Sequence, residues 1–240
     1  METKTATANL TEILAKKILS SEYKERTLLP SENELAKSFK LSRTTVRSAL
    51  QALSAKKMVT IMPKKGSIVN ASETWNWLDH DILGWLSNIE VNHNDTSHLM
   101  AARLIFEPNT SALAALNATA IDLLHMEEAC NEMQKGVEQG DRGLFNQGDI
   151  KFHRALLIAS HNPFMIAIGD VLSKGLILSF NRTMDENLPE SMPAIADHIK
   201  LMETIRLRQP DEAKEQTRVI VLNAIRKRQE TEPNYIPHIG

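Results

Sequence analysis

The 240-residue sequence has little cysteine, few aromatic residues and no long apolar run. Its single cysteine, Cys130, excludes a disulfide within the chain and fits a reducing compartment. No uninterrupted apolar stretch approaches the roughly 20 residues that cross a bilayer, and the N-terminus lacks the apolar core of a signal peptide. These absences predict a cytoplasmic protein with no membrane partner.

Acidic residues are missing from one segment, residues 35–72, which holds eight Lys or Arg. Residues 1–70 contain 13 basic and 6 acidic residues, whereas residues 71–240 contain 15 and 24. The formal net charge of the chain is only -2, so the asymmetry is local. Because a polyanion is attracted to the first part and repelled by the second, the charges indicate a nucleic-acid-binding head joined to a different domain.

Three short helices and a hairpin are predicted in residues 1–70. Apolar residues at helical spacing begin at Leu10, and Ser31 with Glu34 forms a capping-box pattern that starts a second helix. Ser42 can cap a third helix with an apolar face. Val59–Met62 has strand character, residues 63–66 form a basic turn, and residues 67–69 return. This order is typical of a winged helix-turn-helix.

The remainder of the chain reads as helices without a further strand signal. Gly or Pro marks most of the breaks between them, which predicts six or seven antiparallel helices in a bundle. The predicted segments are Leu99–Thr119, Ile121–Glu138, Leu144–Ser160, Phe164–Phe180, Pro193–Arg208 and Asp211–Glu230. The predicted fold class is therefore mainly α, a winged helix-turn-helix followed by an all-helical bundle.

The third helix has the features of a helix that reads DNA. Its apolar face places Arg43, Thr44 and Arg47 outward, and Arg is suited to guanine O6 and N7 in the major groove. Short hydroxyl side chains and a helix N-terminus suit phosphates. A solvated basic helix with a capping serine is the alternative. The predicted DNA-binding residues, with the basic hairpin tip included, are Ser42, Arg43, Thr44, Thr45, Arg47, Lys64, Lys65 and Gly66.

The segment LLPSENELAKSFKLSRTTVRSALQALSAKKMVTIMPKKGSIV resembles the DNA-binding head of GntR-type transcription regulators. The helical remainder is similar to the FCD-type effector domain of the FadR subfamily. The chain departs from the family pattern at three positions. Asn33 stands where Arg is usual, and Lys40 and Lys57 stand where Gly commonly follows a helix, so those two turns need another route to their backbone conformation.

The resemblance implies a division into three parts. Residues 1–70 form the DNA-binding domain, residues 71–95 a tryptophan-containing linker, and residues 96–232 the effector-binding and dimerisation domain. The linker sequence ETWNWLDHDILGW resembles that of repressors of sugar-acid operons. The expected partners are a double-stranded DNA operator, a second copy of the chain in a homodimer, and a small carboxylic acid effector such as an aldonate.

Asp149 and His153 lie four residues apart, which places both on one face of a helix. With His198 from a later helix they have the residue types that hold a divalent cation. The same residues can equally cap helices or bond locally. The FCD resemblance implies an Asp, a His four residues later and two further His ligands. The fourth falls on Ile220, which cannot bind a metal. The expectation is therefore either a zinc or nickel site with three protein ligands, or a domain that binds its effector without a metal.

Effector-binding residues are implied mainly by the same resemblance. Arg103 matches the Arg of the first long FCD helix and suits a ligand carboxylate, and the alternative is an ordinary surface pair with Glu107. Arg182 is a further candidate, with a solvated helix end as its alternative. The expected effector-binding set is Arg103, Asp149, His153, Arg182 and His198.

Three functions compete at this point. The first is a ligand-responsive transcription regulator, with repression of a sugar-acid operon favoured, and it is not an enzyme. The second is a metal-dependent hydrolase with its site at Asp149, His153 and His198, since zinc hydrolases use three protein ligands. It lacks an evident general base and leaves the head unexplained. The third is an architectural DNA-binding protein, which needs no acidic second domain.

Overall fold

The computed structural model describes residues 5–86, 93–171 and 191–231. Contacts divide the chain into two compact units, residues 1–91 and 92–240. The first unit contains α1 (Ala6–Leu19), α2 (Glu32–Phe39), α3 (Arg43–Ala55), β1 (Val59–Met62), β2 (Gly66–Val69), a 3₁₀ turn (Ser72–Thr74) and α4 (His80–Leu86). The second contains α5 (His93–Asn117), α6 (Ala120–Gln139), α7 (Arg142–Ala159), α8 (residues 163–171), α9 (Met192–Arg206) and α10 (Pro210–Thr231).

The first unit is a winged helix-turn-helix, as the sequence predicts. The Ser31 side chain accepts from the amide of Glu34, and the Glu34 carboxylate accepts from the amide of Ser31, so the predicted capping box starts α2. β1 and β2 pair antiparallel with Val59 opposite Val69. Leu35, Val46 and Leu50 are buried in its core. Local capping and periodicity therefore produce the predicted elements.

Lysine adopts the left-handed backbone conformation at both turns where the family commonly has glycine. Lys40, which follows α2, has φ 53°, and Lys57, which follows α3, has φ 60°. The amide of Lys40 donates to the last turn of α2, as in a glycine-ended helix. A side chain at a positive φ is strained by contact with its own backbone. The turns are therefore kept at a conformational cost that glycine would not carry.

Residues 71–86 of the predicted linker, which end with α4, belong to the first unit, whereas its residues 93–95 begin α5 in the second unit. Asp79 and Asp81 both bond to the Lys56 ammonium, at 2.8 and 2.7 Å, and Lys56 lies 5.5 Å above the ring of Trp85. The Asn76 amide donates to the Lys56 carbonyl. The end of α3 is thus tied to the segment that leads into α4.

The second unit is a helical bundle in which α5 packs along α10 and α6 packs along α7. Five of the six predicted helices are confirmed, although α5 begins at His93 rather than Leu99. The predicted helix over residues 164–180 is described only as far as residue 171, and the rest of it lies outside the described residues.

The buried Cys130 lies in the core cluster, and burial, with smaller contributions from Asp149 and Glu127, raises the pKa of its thiol to about 12.

Two glycines allow α6 and α7 to approach closely. A Cβ on Gly136 would lie 2.5 Å from the Phe145 backbone nitrogen, and a Cβ on Gly148 would lie 2.7 Å from the Met133 backbone nitrogen. Gly148 directly precedes Asp149, so this contact sets the position of that carboxylate.

Within the described residues, no helix has the length and apolar character needed to span a membrane.

Candidate functional site

The outward face of α3 carries the predicted DNA-reading side chains. Ser42 caps the helix, accepting from the Thr45 amide at 3.0 Å, and its hydroxyl lies 2.8 Å from the Thr45 hydroxyl. Arg43, Thr44 and Arg47 are exposed, as the apolar face requires. Thr45 is half-buried and engaged in the cap, so it is less available to a partner than its neighbours.

A carboxylate from α2 holds both arginines of this face. Arg47 donates to the two Glu32 oxygens at 3.2 and 2.9 Å, and an Arg43 nitrogen lies 3.8 Å from Glu32. The hydrogen bond from Arg47 is the main reason that the pKa of Glu32 is lowered. The two hydrogen bonds orient the Arg47 guanidinium, and Arg43 lies within ion-pair distance of the same carboxylate. Glu32 could not be predicted from the sequence, because its partner Arg47 lies fifteen residues away on another helix.

The basic hairpin tip is also in place. Lys64 and Gly66 both have positive φ, 63° and 103°, and the Lys65 amide donates to the Met62 carbonyl at 3.2 Å. All three residues are exposed. A tight turn therefore presents two lysine side chains, which is the arrangement expected of a wing that contacts a nucleic-acid backbone.

The second unit contains a buried polar cluster built from three helices. Arg103 and Glu107 come from α5, Asp149 and His153 from α7, and His198 from α9, and all five are buried. His198 Nε2 lies 3.0 Å from Asp149 Oδ1 and 3.5 Å from His153 Nε2. His153 Nε2 lies 3.9 Å from Asp149 Oδ2. The structure thus brings together Asp149, His153 and His198, one potential ligand atom from each lying within 4.8 Å of the others.

Glu107 closes the cluster on the side of α5. Arg103 donates to its two oxygens at 2.6 and 3.3 Å. His153 Nδ1 lies 3.2 Å from Glu107 Oε2, although the ring is not aligned for a full hydrogen bond. The Arg103–Glu107 pair expected as the alternative does form, but inside the bundle and not on the surface.

Electrostatics favour charged groups at this position despite the burial. Burial raises the pKa of Asp149, but the hydrogen bond to His198 and nearby positive charges outweigh it, and the net shift is downward. Burial lowers the pKa of His198, but the bond to Asp149 and the carbonyl of Ala194 reverse this, and the net shift is upward. The pKa of Glu107 is far below its usual range, because Arg103 and His153 overcome its burial.

The two remaining sequence-predicted positions, Arg182 and Ile220, have different outcomes. Arg182 lies outside the described residues. Ile220, at the expected fourth ligand position, is buried in the apolar core cluster that also includes Phe152. Phe152 packs edge-on against the His198 ring, 4.8 Å between centroids. An apolar side chain therefore occupies the position where a fourth imidazole was expected, and another member of the same apolar cluster supports His198.

Comparison with known families gives two matches that follow the two units. Residues 6–69 match the description "Bacterial regulatory proteins, gntR family", and residues 98–223 match the FCD domain. This chain belongs to the GntR family of bacterial transcription regulators. The FCD domain binds small-molecule effectors and in some cases a metal. The hydrolase alternative is not supported, because members of this family are regulators and not enzymes.

Two curated relatives are similar over most of the chain. The galactonate operon transcriptional repressor of Escherichia coli K12 is 30% identical over 220 residues, covering 90% of this chain and 94% of the repressor. The repressor NanR of Salmonella newport is 30% identical over 203 residues, covering 84% of this chain and 77% of NanR.

Solved structures share the fold. The Listeria monocytogenes protein Lar has a TM-score of 0.69 at 18% identity, covering 97% of this chain and 100% of Lar. McbR/YncC of E. coli has a TM-score of 0.56 at 18% identity, covering 95% of this chain and 99% of that chain. A gntR-type head followed by an FCD domain, as the two family matches show, is the architecture of a ligand-responsive DNA-binding regulator.

Proposed function

We propose that this regulator represses a sugar-acid catabolic operon and is released from DNA when an aldonate binds beside a divalent metal held by Asp149, His153 and His198. The proposal rests on one observation. Three potential ligand atoms, one each from Asp149, His153 and His198, converge in a buried site, and such a group is stabilised by a cation. The metal most compatible with two imidazoles and a carboxylate is zinc or nickel.

The hydrogen bond of His198 decides its tautomer. Its Nδ1 lies 2.6 Å from the Ala194 carbonyl oxygen, which can only accept, so Nδ1 carries the proton. In the neutral ring Nε2 is then bare, although it lies 3.0 Å from the Asp149 carboxylate. Two acceptors at this distance repel unless a positive charge joins them. Either His198 is protonated at both nitrogens, or a metal ion binds the bare nitrogen.

A metal fits the rest of the donor set. Asp149 Oδ2 is buried without a hydrogen-bond partner. A buried acceptor of this kind is costly unless a donor or cation reaches it. With His153 Nε2 and His198 Nε2 it would supply three ligands and leave the remaining positions to water or to the effector. Such a metal would supply Lewis-acid attraction for the oxygens of a hydroxy acid.

The charge balance of the cluster favours an anionic effector. The buried groups are Arg103, which is positive, and Glu107 and Asp149, which are negative. With neutral histidines and a divalent cation, the cluster carries one net positive charge, which one bound carboxylate neutralises. Without the metal, protonated His198 already balances the cluster. Because Arg103 is engaged by Glu107, the acid would meet the metal ligands first and Arg103 only if that pair opens.

Relatives support the choice of a sugar acid. One of the similar regulators represses the galactonate operon, and galactonate is an aldonate.

On DNA, we propose a homodimer that places two α3 helices in successive major grooves of a pseudo-palindromic operator. Release requires that the effector bind one arrangement of the heads more tightly than the other, since equal affinity shifts nothing.

A gel shift on the upstream region of its own gene, with and without candidate acids, tests the regulator as a whole. Calorimetry against aldonates, hexuronates, lactate and acyl-CoA, with metal-loaded and chelator-treated protein, tests the effector class. We expect aldonates to bind the loaded protein and to release DNA. Tight binding of lactate or acyl-CoA with no aldonate signal would overturn the sugar-acid assignment.

Elemental analysis of the purified protein tests the metal on its own. We expect zinc or nickel in stoichiometric amount, lost in His153→Gln and His198→Gln and retained in His125→Gln, which alters an exposed histidine. Absence of metal, together with no thermal shift on adding zinc or nickel, rejects the metal site while leaving the DNA-binding assignment intact.

A further inference from the structure

We propose that Glu107 is a positioning residue for the metal site, holding the His153 ring so that its Nε2 is bare and faces Asp149 and His198. This inference rests on the metal proposed above. Neither Arg103 nor Glu107 is among the three potential ligands. Because Glu107 lies between Arg103 and His153, it can nevertheless determine which nitrogen of His153 carries the proton and which one is free to bind a metal.

The consequence follows from what each atom can donate. An ionised carboxylate only accepts hydrogen bonds, and Glu107 Oε2 lies 3.2 Å from His153 Nδ1 although the ring is not aligned for a full hydrogen bond. At this distance a bare Nδ1 would face carboxylate lone pairs, so the form protonated at Nδ1 is favoured. Protonation at Nδ1 leaves Nε2 with the lone pair that a metal requires. The pattern matches His198, whose Nδ1 is protonated toward the Ala194 carbonyl. Outer carboxylates commonly orient metal-binding histidines in this way.

Arg103 makes this role possible. A buried carboxylate with no cation beside it takes up a proton and becomes a donor, which would reverse the preferred tautomer of His153. The two bonds from Arg103, at 2.6 and 3.3 Å, keep Glu107 ionised and fix the plane of its carboxylate. Arg103 and Glu107 are one helical turn apart on α5, so one helix supplies both the orienting group and its counter-charge.

The competing explanation is that Glu107 only neutralises Arg103. In that case the His153 tautomer does not depend on Glu107. The two explanations differ for Glu107→Gln, because a glutamine amide can donate to Nδ1 and so stabilise the tautomer that is protonated at Nε2. They also differ for Arg103→Met combined with Glu107→Gln, which removes both charges of the Arg103–Glu107 pair.

The test is ¹⁵N NMR of histidine-labelled, metal-free full-length protein at about pH 8, above the ordinary histidine pKa of about 6.5. The His153 signals are assigned by their loss in His153→Gln. We expect the Nδ1–H tautomer at His153 in the wild type and a shift toward Nε2–H in both Glu107→Gln and the double variant. Glu132→Gln, which alters a carboxylate paired with exposed Lys151, should leave the tautomer unchanged.

Calorimetry with zinc chloride on the same proteins supplies the second readout. Zinc affinity should fall about 10- to 100-fold in Glu107→Gln and stay within twofold of wild type in Glu132→Gln. An unchanged His153 tautomer and unchanged zinc affinity in both Glu107 variants overturn the inference. If wild-type protein binds no zinc but the tautomer still follows Glu107, the proposed metal fails while the orienting contact stands.

Discussion

Arg103 and Glu107 form a two-pronged ion pair inside the helical bundle, with nitrogen–oxygen distances of 2.6 and 3.3 Å and only 2% of the Arg103 surface exposed. An i,i+4 pair on the surface of a helix is worth only about 0.3–0.5 kcal/mol. Inside a protein, the same two residues depend on each other, because either one alone is an unpaired buried charge.

Breaking this pair should therefore destabilise the second unit strongly. Arg103→Met leaves Glu107 uncompensated and should lower the free energy of unfolding by about 3–5 kcal/mol. Adding Glu107→Gln to the same chain removes the orphaned charge and should recover a large part of the loss. Urea unfolding followed by circular dichroism measures both. A single variant as stable as wild type would show that the pair is dispensable.

The α3 arginines should carry sequence preference, whereas the wing lysines should not. Arg43→Ala should cost about 1–3 kcal/mol of operator affinity and relax preference at one base position, and Arg47→Ala should act similarly at another. Lys65→Ala should weaken binding to all sequences by a similar factor. Fluorescence anisotropy with operator and scrambled duplexes separates these outcomes. If both arginine variants bind the operator with wild-type affinity, these arginines of α3 do not contact the bases.

Glu32 should restrain the same arginines from binding phosphates. Its carboxylate neutralises part of their charge, so Glu32→Gln should raise affinity for scrambled DNA more than for the operator. The slope of log affinity against log salt should steepen by about one for each arginine that gains a phosphate contact. Glu25→Gln, a change at an exposed acid of the same unit, is the matched control. Equal loss of affinity for both duplexes would argue for a structural role of Glu32.

A fourth ligand at position 220 should strengthen metal binding. Ile220 occupies the position where the family pattern has a histidine, and it is 8% exposed. Ile220→His should raise zinc affinity in calorimetry, because a further imidazole completes a four-ligand site. Ile220→Gln places a polar side chain of similar size there without an imidazole and serves as control. If Ile220→His and Ile220→Gln bind zinc with equal affinity, a side chain at position 220 does not reach the metal.

Acid should weaken the hydrogen bonds that join Asp122, in α6, to Thr119 before that helix and to His161 after α7. Burial raises the pKa of this carboxyl, but bonds from Thr119 and His161 outweigh it and the net shift is downward. A carboxyl with a lowered folded-state pKa stabilises fully above its unfolded pKa of about 3.9 and loses this contribution as pH falls through the folded value.

Between about pH 5 and pH 3, the free energy of unfolding should consequently fall more steeply in the wild type than in Asp122→Asn. Asp211→Asn, at an exposed acid in the first turn of α10, should keep the wild-type slope. Parallel slopes in wild type and Asp122→Asn would contradict the contribution assigned to Asp122. Urea titrations at fixed ionic strength supply the measurement.

The features that the sequence determined by itself depend on neighbours within a few residues. The capping box of Ser31 and Glu34, the Ser42 cap and the outward placement of Arg43 and Arg47 follow from helical periodicity and short-range hydrogen bonds. The pairing of Asp149 with His153 on one face of α7 has the same origin. The resemblance to the GntR and FCD patterns then identified His198 as the partner from a later helix.

The tertiary structure alone decided what surrounds those residues. His198 reaches His153 across 45 positions of sequence, and Arg47 reaches Glu32 across 15. The contact of Glu107 with His153 likewise joins α5 to α7. Spacing cannot reveal such contacts, because they depend on how closely helices pack, as Gly136 and Gly148 allow for α6 and α7. Packing also removed Arg103 from water, and a charge separated from water is governed by its nearest partner and no longer by solvent.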